Sequence, residues 1–410
     1  MHNPLLDPLP DNLPEPGSAD PWLTIIGIGE DGLAGLSEAS RKALAGAETV
    51  FGGERHLALA KIGSRGRPWP VPFAADGVLS CRGRPTVVLA SGDPFWHGVG
   101  ATLAERLNKS EWIAHPAPSA FSLAAARLGW RLESAVCIGL HAAPFENLVP
   151  HLARGERIIC LVRDGRAALD LAGWLTARGW GESELWTLAA LGGPHESATR
   201  QRADGYTADP AVGLVAVALE AEGSLGLPRS SGLADALFAH DGQITKRPMR
   251  SLALSSLAPR PRERLWDIGA GSGSISVEWA LRGGTAVAIE ARNDRAANIV
   301  RNAAAFGLAN RITVIERAAP AALANLEAPD AVFVGGGFDA AMFDCLWPML
   351  APGTRLVAHA VTLETDALLS ELHRRHGGEL MRVEIAHAAR LGRYRSWEAE
   401  RPMVQWSTVK

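Results

Sequence analysis

A glycine-rich turn in the second half of the chain carries the most specific chemical signal. Asp267 is followed by Gly269, Gly271 and Gly273, after an apolar run and ahead of a helix-forming segment. Glycines let the main chain approach a ligand closely, and the N-terminus of a following helix offers free amides and partial positive charge. Glu290 ends the next apolar run, roughly 20 residues further on, where a carboxylate can accept hydrogen bonds from ribose hydroxyls. This combination predicts a bound nucleotide.

Three interpretations of this turn are open. The dinucleotide fingerprint G-x-G-x-x-G requires glycine at the position of Ser274, but here the third glycine comes one residue earlier. The spacing instead resembles motif I of the class I S-adenosylmethionine methyltransferases. A nicotinamide or flavin nucleotide and a purely structural strand–helix turn are the alternatives. Because ligands bind at the carboxyl ends of parallel strands, we expect Gly336 and His359 at the same site.

Two glycine–acid turns follow apolar runs in the first half of the chain. Gly27 and Gly29 belong to GIGEDG, and Gly92 and Asp93 stand before Pro94 in SGDP. Each turn alone is consistent with ordinary turn chemistry. Together they predict a ligand site at the carboxyl ends of two strands of one sheet.

Apolar runs alternate with helix-forming segments in both halves of the chain. The predicted strands are 22–28, 86–90, 157–162, 212–219, 264–268, 286–290, 312–316, 331–334, 355–358, 381–386 and 403–408. The predicted helices are 37–47, 274–281, 294–306, 339–350 and 362–376. This alternation predicts an α/β fold with mostly parallel, helix-covered sheets. The last two strands have no long helix between them, which predicts an antiparallel edge pair.

Composition excludes several classes of protein. The 410 residues carry a net charge of −3 and lack the basic field of a nucleic-acid-binding protein. Four cysteines lie far apart, which argues against a disulfide framework, and we predict no metal site. We find no signal peptide and no apolar run of the roughly 18–20 residues that span a bilayer. We therefore predict a cytoplasmic protein without a membrane or nucleic-acid partner.

The order of the motifs along the chain resembles a known pair of domains. WLTIIGIGEDG, ASGDPFWHG and HPAPSAFSLAAARLGW resemble the tetrapyrrole methylase family, and IGLHA and LGGPHESATR resemble its CbiE branch. DGQITKRPMR, leading into DIGAGSG, resembles the CbiT methyltransferases. The resemblance implies a tetrapyrrole-methylase-type α/β domain at 22–221 and a Rossmann-like class I methyltransferase domain at 233–410. A disordered, proline-rich leader at 1–21 and a linker at 222–232 complete the predicted organisation.

The resemblance also implies two S-adenosylmethionine sites per chain. In the first domain Gly92, Asp93 and Pro94 would bind the methyl donor, and Gly27 and Gly29 would border the tetrapyrrole. In the second domain the implied donor-binding residues are Thr245, Gly269, Ala270, Gly271, Ser272, Gly273, Glu290 and Ala318.

The implied activity is methylation of precorrin-6B at carbons 5 and 15, with loss of the ring C acetate carboxyl as CO2, to give precorrin-8. The acceptor is a polycarboxylate, so cationic side chains should surround it. Arg250, Arg393 and Gly336 are the candidate acceptor contacts, and His359 and Glu364 the candidate general bases. Surface and helix-capping roles compete with these assignments. Because related single domains assemble, we expect a homo-oligomer.

Four alternative functions have different requirements. The acceptor could be a cobalt-containing precorrin of the anaerobic route, because the resemblance includes fused domain pairs from both routes. A nicotinamide-dependent oxidoreductase would use the second domain, although its third glycine is displaced. An RNA or protein methyltransferase would use the first domain as a binding module, and a non-catalytic tetrapyrrole-binding protein would not consume the donor.

Overall fold

The computed structural model describes residues 21–207 and 215–410. The predicted leader lies outside these residues except for Pro21, as do the first three residues of the strand predicted at 212–219. Within the described residues, none of the helices combines the length and apolar character needed to cross a membrane.

The described residues form two compact units. The first runs up to Ala143 and resumes at Ala153–Leu225, and the second comprises Pro144–Leu152 and Gly226–Lys410. The division after Leu225 falls inside the segment for which we predict a linker. The short segment Pro144–Leu152 groups with the second unit, although the predicted first domain includes it.

The first unit contains two five-stranded sheets. The strands of the first sheet are β1 (Leu23–Ile28), β2 (Thr49–Gly52), β3 (Gly66–Pro68), β4 (Thr86–Ser91) and β5 (Trp112–His115). The strands of the second sheet are β6 (Val136–Gly139), β7 (Arg157–Val162), β8 (Glu184–Ala189), β9 (Ser197–Arg202) and β10 (Val215–Glu220). The helices are α1 (Glu38–Gly46), α2 (Glu54–Leu59), α3 (Asp76–Leu79), α4 (Val99–Ala104), α5 (Ala120–Leu128) and α6 (Gly165–Ala177).

The first sheet is parallel throughout, in the order β3-β2-β4-β1-β5. Apolar clusters cover both of its faces: Ile26 and Leu89 belong to one cluster, and Ile25 and Val88 to another. Successive strand residues point to opposite faces, so a strand covered on both sides is apolar along its whole length. This explains why continuous runs such as LTIIGI mark the strands of this sheet.

The second sheet, ordered β6-β7-β10-β8-β9, corrects the expectation of a mostly parallel arrangement. Only β6 and β7 pair in parallel; β7–β10, β10–β8 and β8–β9 pair antiparallel. A short loop without a helix links β8 to β9. Parallel neighbours need a long crossover, so two strands joined this closely form a hairpin instead.

The second unit is built on a seven-stranded sheet in the order β13-β12-β11-β14-β15-β19-β16. Its strands are β11 (Arg264–Ile268), β12 (Thr285–Glu290), β13 (Ile312–Glu316), β14 (Ala331–Val334), β15 (Arg355–Ala360), β16 (Glu379–Val383) and β19 (Met403–Val409). A separate hairpin consists of β17 (Ala386–Leu391) and β18 (Tyr394–Ala399). The helices are α7 (Arg247–Leu257), α8 (Ser274–Ala280), α9 (Asn293–Ala305), α10 (Ala340–Leu346) and α11 (Leu363–His376).

Strands β11 to β15 are parallel, as the alternating pattern predicts. The predicted antiparallel pairing of the last two strands is confirmed, but only β16 lies at the edge, because β19 also pairs with β15. The hairpin β17–β18 is not among the predicted elements. The carboxyl ends of β11, β12, β14 and β15 carry the glycine turns, Glu290 and His359.

Candidate functional site

The second unit holds a cavity of about 730 Å3 at the carboxyl ends of its parallel strands. Eight of the residues predicted for this site line it: Thr245, Gly269, Ala270, Gly271, Glu290, Ala318, Gly336 and His359. The fold therefore brings together residues that are far apart in the sequence. They meet because each lies at or near the carboxyl end of a strand, which is the rule used to predict them.

One wall of this cavity is main chain. Gly269 has a φ of +66°, and a Cβ on it would lie 2.8 Å from the carbonyl oxygen of Gly336. The N–H of Gly335 donates to the carbonyl of Ile268 at 2.9 Å, which joins the ends of β14 and β11. A side chain at position 269 would force these strand ends apart, so the glycine is required both by its φ and by the space available.

Glu290 is buried at the end of β12, and backbone amides hold its carboxylate in place. Its Oε2 accepts a hydrogen bond from the N–H of Gly271 at 2.9 Å, and its Oε1 accepts one from the N–H of Arg292 at 3.0 Å. A carboxylate has about four lone-pair positions, so each oxygen can still accept another hydrogen bond. The residue therefore fits a ligand that presents two hydroxyl groups, such as a ribose.

If this cavity holds S-adenosylmethionine, as the resemblance implies, replacing Glu290 with Ala should weaken its binding by about 10²-fold, because two charge-assisted hydrogen bonds are lost. The matched control is Glu316→Ala, since Glu316 ends β13 directly beside Glu290 but is exposed. Calorimetric titration of the whole chain measures both variants. Unchanged affinity in Glu290→Ala would contradict the ribose assignment.

Behind the cavity, Asp267 ties β11 to α8. Its Oδ2 accepts hydrogen bonds from the N–H and the hydroxyl of Ser276, at 3.1 and 2.6 Å. Its Oδ1 is buried without a protein partner, and burial raises the pKa of this carboxyl to about 6. Ser272 and Gly273 do not line the cavity: Ser272 is buried, and Gly273 starts α8 where a Cβ would lie 2.7 Å from Ile299. These two predicted donor contacts therefore serve the turn.

His359 is the predicted acid–base residue that reaches the cavity. Its Nε2 donates to Oε1 of Gln405 at 2.9 Å, and the amide of Gln405 donates to Ser256 at 2.9 Å. Phe333 contacts the ring edge-on, and burial lowers the pKa of His359 to about 4, so the imidazole is neutral at neutral pH. Glu364 lies outside the cavity lining, exposed in the first turn of α11, where an acid complements the helix dipole.

Arg250 corrects the prediction of an acceptor contact. The side chain has no exposed surface, and its guanidinium donates to the carboxylates of Glu278 and Asp235. It also donates to the main-chain carbonyls of Thr245 and Leu233. The residue therefore holds the segment ahead of α7 against α8, and it is not available to a ligand.

Arg393, the other predicted arginine contact of the acceptor, does not line the cavity. It lies in the exposed turn between β17 and β18, with its guanidinium 5.0 Å from the ring centre of Tyr394, and outside the cavity lining. The cations that do line the cavity are Lys246, Arg295, Arg317 and Arg401.

Arg295, Arg317 and Arg401 are not among the site residues predicted from the sequence. Arg295 pairs with Asp241, whereas Lys246, Arg317 and Arg401 have no ion-pair partner among the described residues. Arg317 directly follows β13, so the strand-end rule could have found it. Arg401 lies in the loop before β19, and no local signal marks it.

The first unit holds a smaller cavity, of about 310 Å3, beside the two predicted turns. Gly29, Gly92 and Asp93 line it, but Pro94 and Gly27 are buried outside its lining. A Cβ on Gly27 would lie 1.8 Å from the carbonyl oxygen of Gly92, so Gly27 serves the close approach of β1 to β4. The Oδ1 of Asp93 accepts a hydrogen bond from the N–H of Phe95, which closes a tight turn.

Known proteins resemble the whole chain. A family model described as "Tetrapyrrole (Corrin/Porphyrin) Methylases" matches residues 22–204, and one described as "Precorrin methyltransferase domain" matches residues 236–410. The sequence is 47% identical over 406 residues to precorrin-6Y C(5,15)-methyltransferase [decarboxylating] of Sinorhizobium sp, covering 97% of this chain and 98% of the relative. It is 40% identical over 397 residues to the protein of the same name from Mycobacterium tuberculosis (strain CDC 1551 / Oshkosh), covering 95% and 100%.

A solved structure resembles part of the chain. The C-terminal domain of precorrin-6Y C5,15-methyltransferase from Rhodobacter capsulatus is 56% identical in sequence, and the match covers 45% of this chain and all of that one, with a TM-score of 0.44.

Proposed function

The chain belongs to the family of decarboxylating precorrin-6Y C5,15-methyltransferases, and from this premise we propose how its two units share the reaction. It is an S-adenosylmethionine-dependent C-methyltransferase of cobalamin biosynthesis. The first unit methylates carbon 5 of the precorrin, and the second methylates carbon 15 and promotes loss of the ring C acetate carboxyl as CO2. The observation that carries this division is that each unit has its own cavity beside a glycine turn.

We propose one methyl-donor site in each unit. In the second unit, the glycine wall and the two remaining acceptor positions of Glu290 fit the nucleoside. The residues that would hold it are Thr245, Gly269, Ala270, Gly271, Glu290 and Ala318. In the first unit, Gly92 and Asp93 would hold the donor and Gly29 would border the acceptor. S-adenosylmethionine supplies an electrophilic methyl group on its sulfonium.

The protein contributes mainly alignment. The bridge carbons of a reduced tetrapyrrole are enamine-like and nucleophilic, and the electrons released with CO2 can be accommodated within the macrocycle. Holding two reactants in the productive orientation can lower a barrier by about 7–11 kcal/mol. Neither half of the reaction therefore requires a covalent nucleophile from the chain.

His359 is the proposed catalytic side chain of the second unit. Gln405 accepts a hydrogen bond from the Nε2–H of His359, so Nδ1 carries the lone pair of the neutral ring. A neutral imidazole with a fixed tautomer can accept a hydrogen bond from an N–H of the acceptor. We propose that it orients the macrocycle in this way, next to Gly336.

The lining cations Lys246, Arg317 and Arg401 are proposed to bind acceptor carboxylates. Arg317→Met and Arg401→Met should each raise the KM for the precorrin about tenfold, through loss of a charge-assisted hydrogen bond, without changing donor affinity. Arg301→Met, on the exposed surface of α9, is the control. A KM that stays at the wild-type value in both variants would refute this assignment.

The direct test is incubation of the whole chain with precorrin-6B and S-adenosylmethionine, followed by mass spectrometry. The expected product has gained two methyl groups and lost one CO2. A parallel incubation with the cobalt-containing precorrin tests the anaerobic alternative, and an absorbance change on addition of NADH would indicate the oxidoreductase. We place the activity in the cytoplasm, because all four cysteines are free, which fits a reducing compartment.

We also propose that the enzyme is a homo-oligomer, supported by the exposed β17–β18 hairpin. Leu391 and Tyr394 form one cross-strand pair and are 66% and 65% exposed, and Trp397 on the opposite face is 75% exposed. Exposed apolar side chains that lie together often mark a surface that contacts another protein chain. Light scattering should give a multiple of the chain mass for the wild type and a smaller assembly for Trp397→Glu. A monomeric wild type would overturn this proposal.

A further inference from the structure

Four polar side chains that the sequence prediction did not single out meet in the lining of the first unit's cavity. They are Glu30, Arg55, His56 and Ser91, here called the Ser91 cluster. Arg55 forms an ion pair with Glu30. The Oγ of Ser91 lies 2.8 Å from Nη2 of Arg55 and 2.8 Å from Nε2 of His56.

The backbone determines which nitrogen of His56 carries the hydrogen. The N–H of Gly53, just ahead of α2, donates to Nδ1 of His56 at 3.3 Å, so Nδ1 holds a lone pair and Nε2 bears the hydrogen. Burial, and then the charge of Arg55, lower the pKa of His56 to about 4. The ring is therefore neutral at neutral pH, and its Nε2–H donates to Ser91. Nη2 of Arg55 also lies 3.2 Å from Nε2 of His56, and in this tautomer that contact joins two donors and is not a hydrogen bond.

Ser91 consequently receives two hydrogen bonds on one oxygen. A serine hydroxyl has two lone pairs and one hydrogen, and Arg55 and His56 occupy both lone pairs. Among the described residues no protein group accepts the remaining hydrogen. One of the two donors is a guanidinium, and such a charged donor polarises the hydroxyl and strengthens it as a donor in turn.

We propose that the hydroxyl of Ser91 binds a carboxylate of the molecule that occupies this cavity, with Arg55 and His56 as positioning residues. The inference rests on the proposed function, since both S-adenosylmethionine and the precorrin carry ionised carboxylates, which only accept hydrogen bonds. Ser91 directly precedes Gly92 and Asp93, so the carboxylate is held beside the proposed donor turn.

The variant Ser91→Ala tests the proposal by binding titrations of S-adenosylmethionine and of precorrin-6B to the whole chain. Neither titration requires turnover, so the outcome is independent of the product analysis that tests the proposed function. A roughly tenfold loss of donor affinity at one of the two sites identifies the donor carboxylate, and a similar loss of precorrin affinity identifies the acceptor carboxylate. Wild-type affinity for both molecules would overturn the proposal.

Two conservative variants separate positioning from a structural role of His56. Gln at this position keeps an N–H near Nε2, whereas Asn keeps only an acceptor near Nδ1, for the amide of Gly53. If His56 positions Ser91, His56→Gln should bind the carboxylate ligand with wild-type affinity. His56→Asn should lose affinity to the same extent as Ser91→Ala. The reverse result would overturn the role of His56. Ser91→Thr, which retains the hydroxyl, should keep wild-type affinity. Ser80→Ala is the control, because Ser80 is exposed and donates to the carbonyl of Gly77 outside the cavity.

Discussion

Glu278→Ala should lower the free energy of unfolding of the second unit by about 3–5 kcal/mol, because it leaves a buried guanidinium without its main partner. Glu278 and Arg250 both have no exposed side-chain surface, and their Oε1 and Nε atoms are 2.6 Å apart. Glu278 also accepts hydrogen bonds from the N–H groups of Gly232 and Leu233, at 2.8 and 2.9 Å. One substitution therefore removes the fully buried partner of Arg250, which keeps its contact with the partly exposed Asp235, and leaves two backbone donors unsatisfied.

Urea unfolding of the whole chain, with hydrogen exchange followed in peptides of 226–410, measures this loss and assigns it to the second unit. The matched control is Glu371→Ala, which breaks the ion pair with Arg374 on the surface of α11, where the two side chains are 46% and 72% exposed. Exposed pairs contribute less than about 1 kcal/mol. Equal effects of the two substitutions would show that the buried pair is not a main source of stability.

The same substitution should also weaken donor binding. Arg250 donates to the carbonyl of Thr245, a proposed donor contact, and thereby holds the segment ahead of α7. When Glu278 is absent, the guanidinium loses one of its two carboxylate partners and holds this segment less firmly. If Glu278→Ala lowered donor affinity but left the free energy of unfolding unchanged, Glu278 would act on the donor site and not on stability.

Gly27→Ala should abolish the methyl transfer assigned to the first unit, reducing its rate by about 10²-fold or more. The new Cβ would lie 1.8 Å from the carbonyl oxygen of Gly92 and 2.6 Å from the backbone nitrogen of Ala117. These two atoms are themselves hydrogen-bonded to each other, and both belong to main chain, so no flexible side chain can move aside. The end of β4, with Gly92 and Asp93, must shift.

Mass spectrometry of the product distinguishes the two units in this variant. We expect a precorrin that has gained one methyl group and lost CO2, because the second unit is untouched. Gly46→Ala is the control: a Cβ there, at the end of α1, meets nothing within 4 Å, and alanine favours a helix. Loss of both methylations, or of neither, would contradict the assignment of one transfer to each unit.

The features predicted best from the sequence are those that backbone conformation or burial imposes on the residue type at a single position. Gly269 needs a positive φ and space for a neighbouring main chain, and β11 is apolar because it is covered on both faces. These constraints act on residue type at one position, so they are visible without a structure. The glycine turn, Glu290 and the parallel strands β11 to β15 were therefore predictable.

Charge partners were not predictable in the same way. Nothing near Arg250 in the sequence indicates that Glu278, on the next helix, neutralises it in the core. Arg401 shows the converse case. No local sequence signal marks its loop, yet the fold places Arg401 in the cavity lining. Whether a cation serves the core, the surface or a ligand depends on what the tertiary fold sets opposite it, and that information is not local.

The two cavities have a consequence for the timing of the reaction. Each is lined by residues of a single unit, so under the proposed division of labour a macrocycle modified in one cavity must leave that cavity before the other can act on it. Under the same proposal, the half-finished compound competes with fresh starting material for the second cavity. Flux through the second transfer then depends on how strongly each cavity prefers a macrocycle that already carries one added methyl.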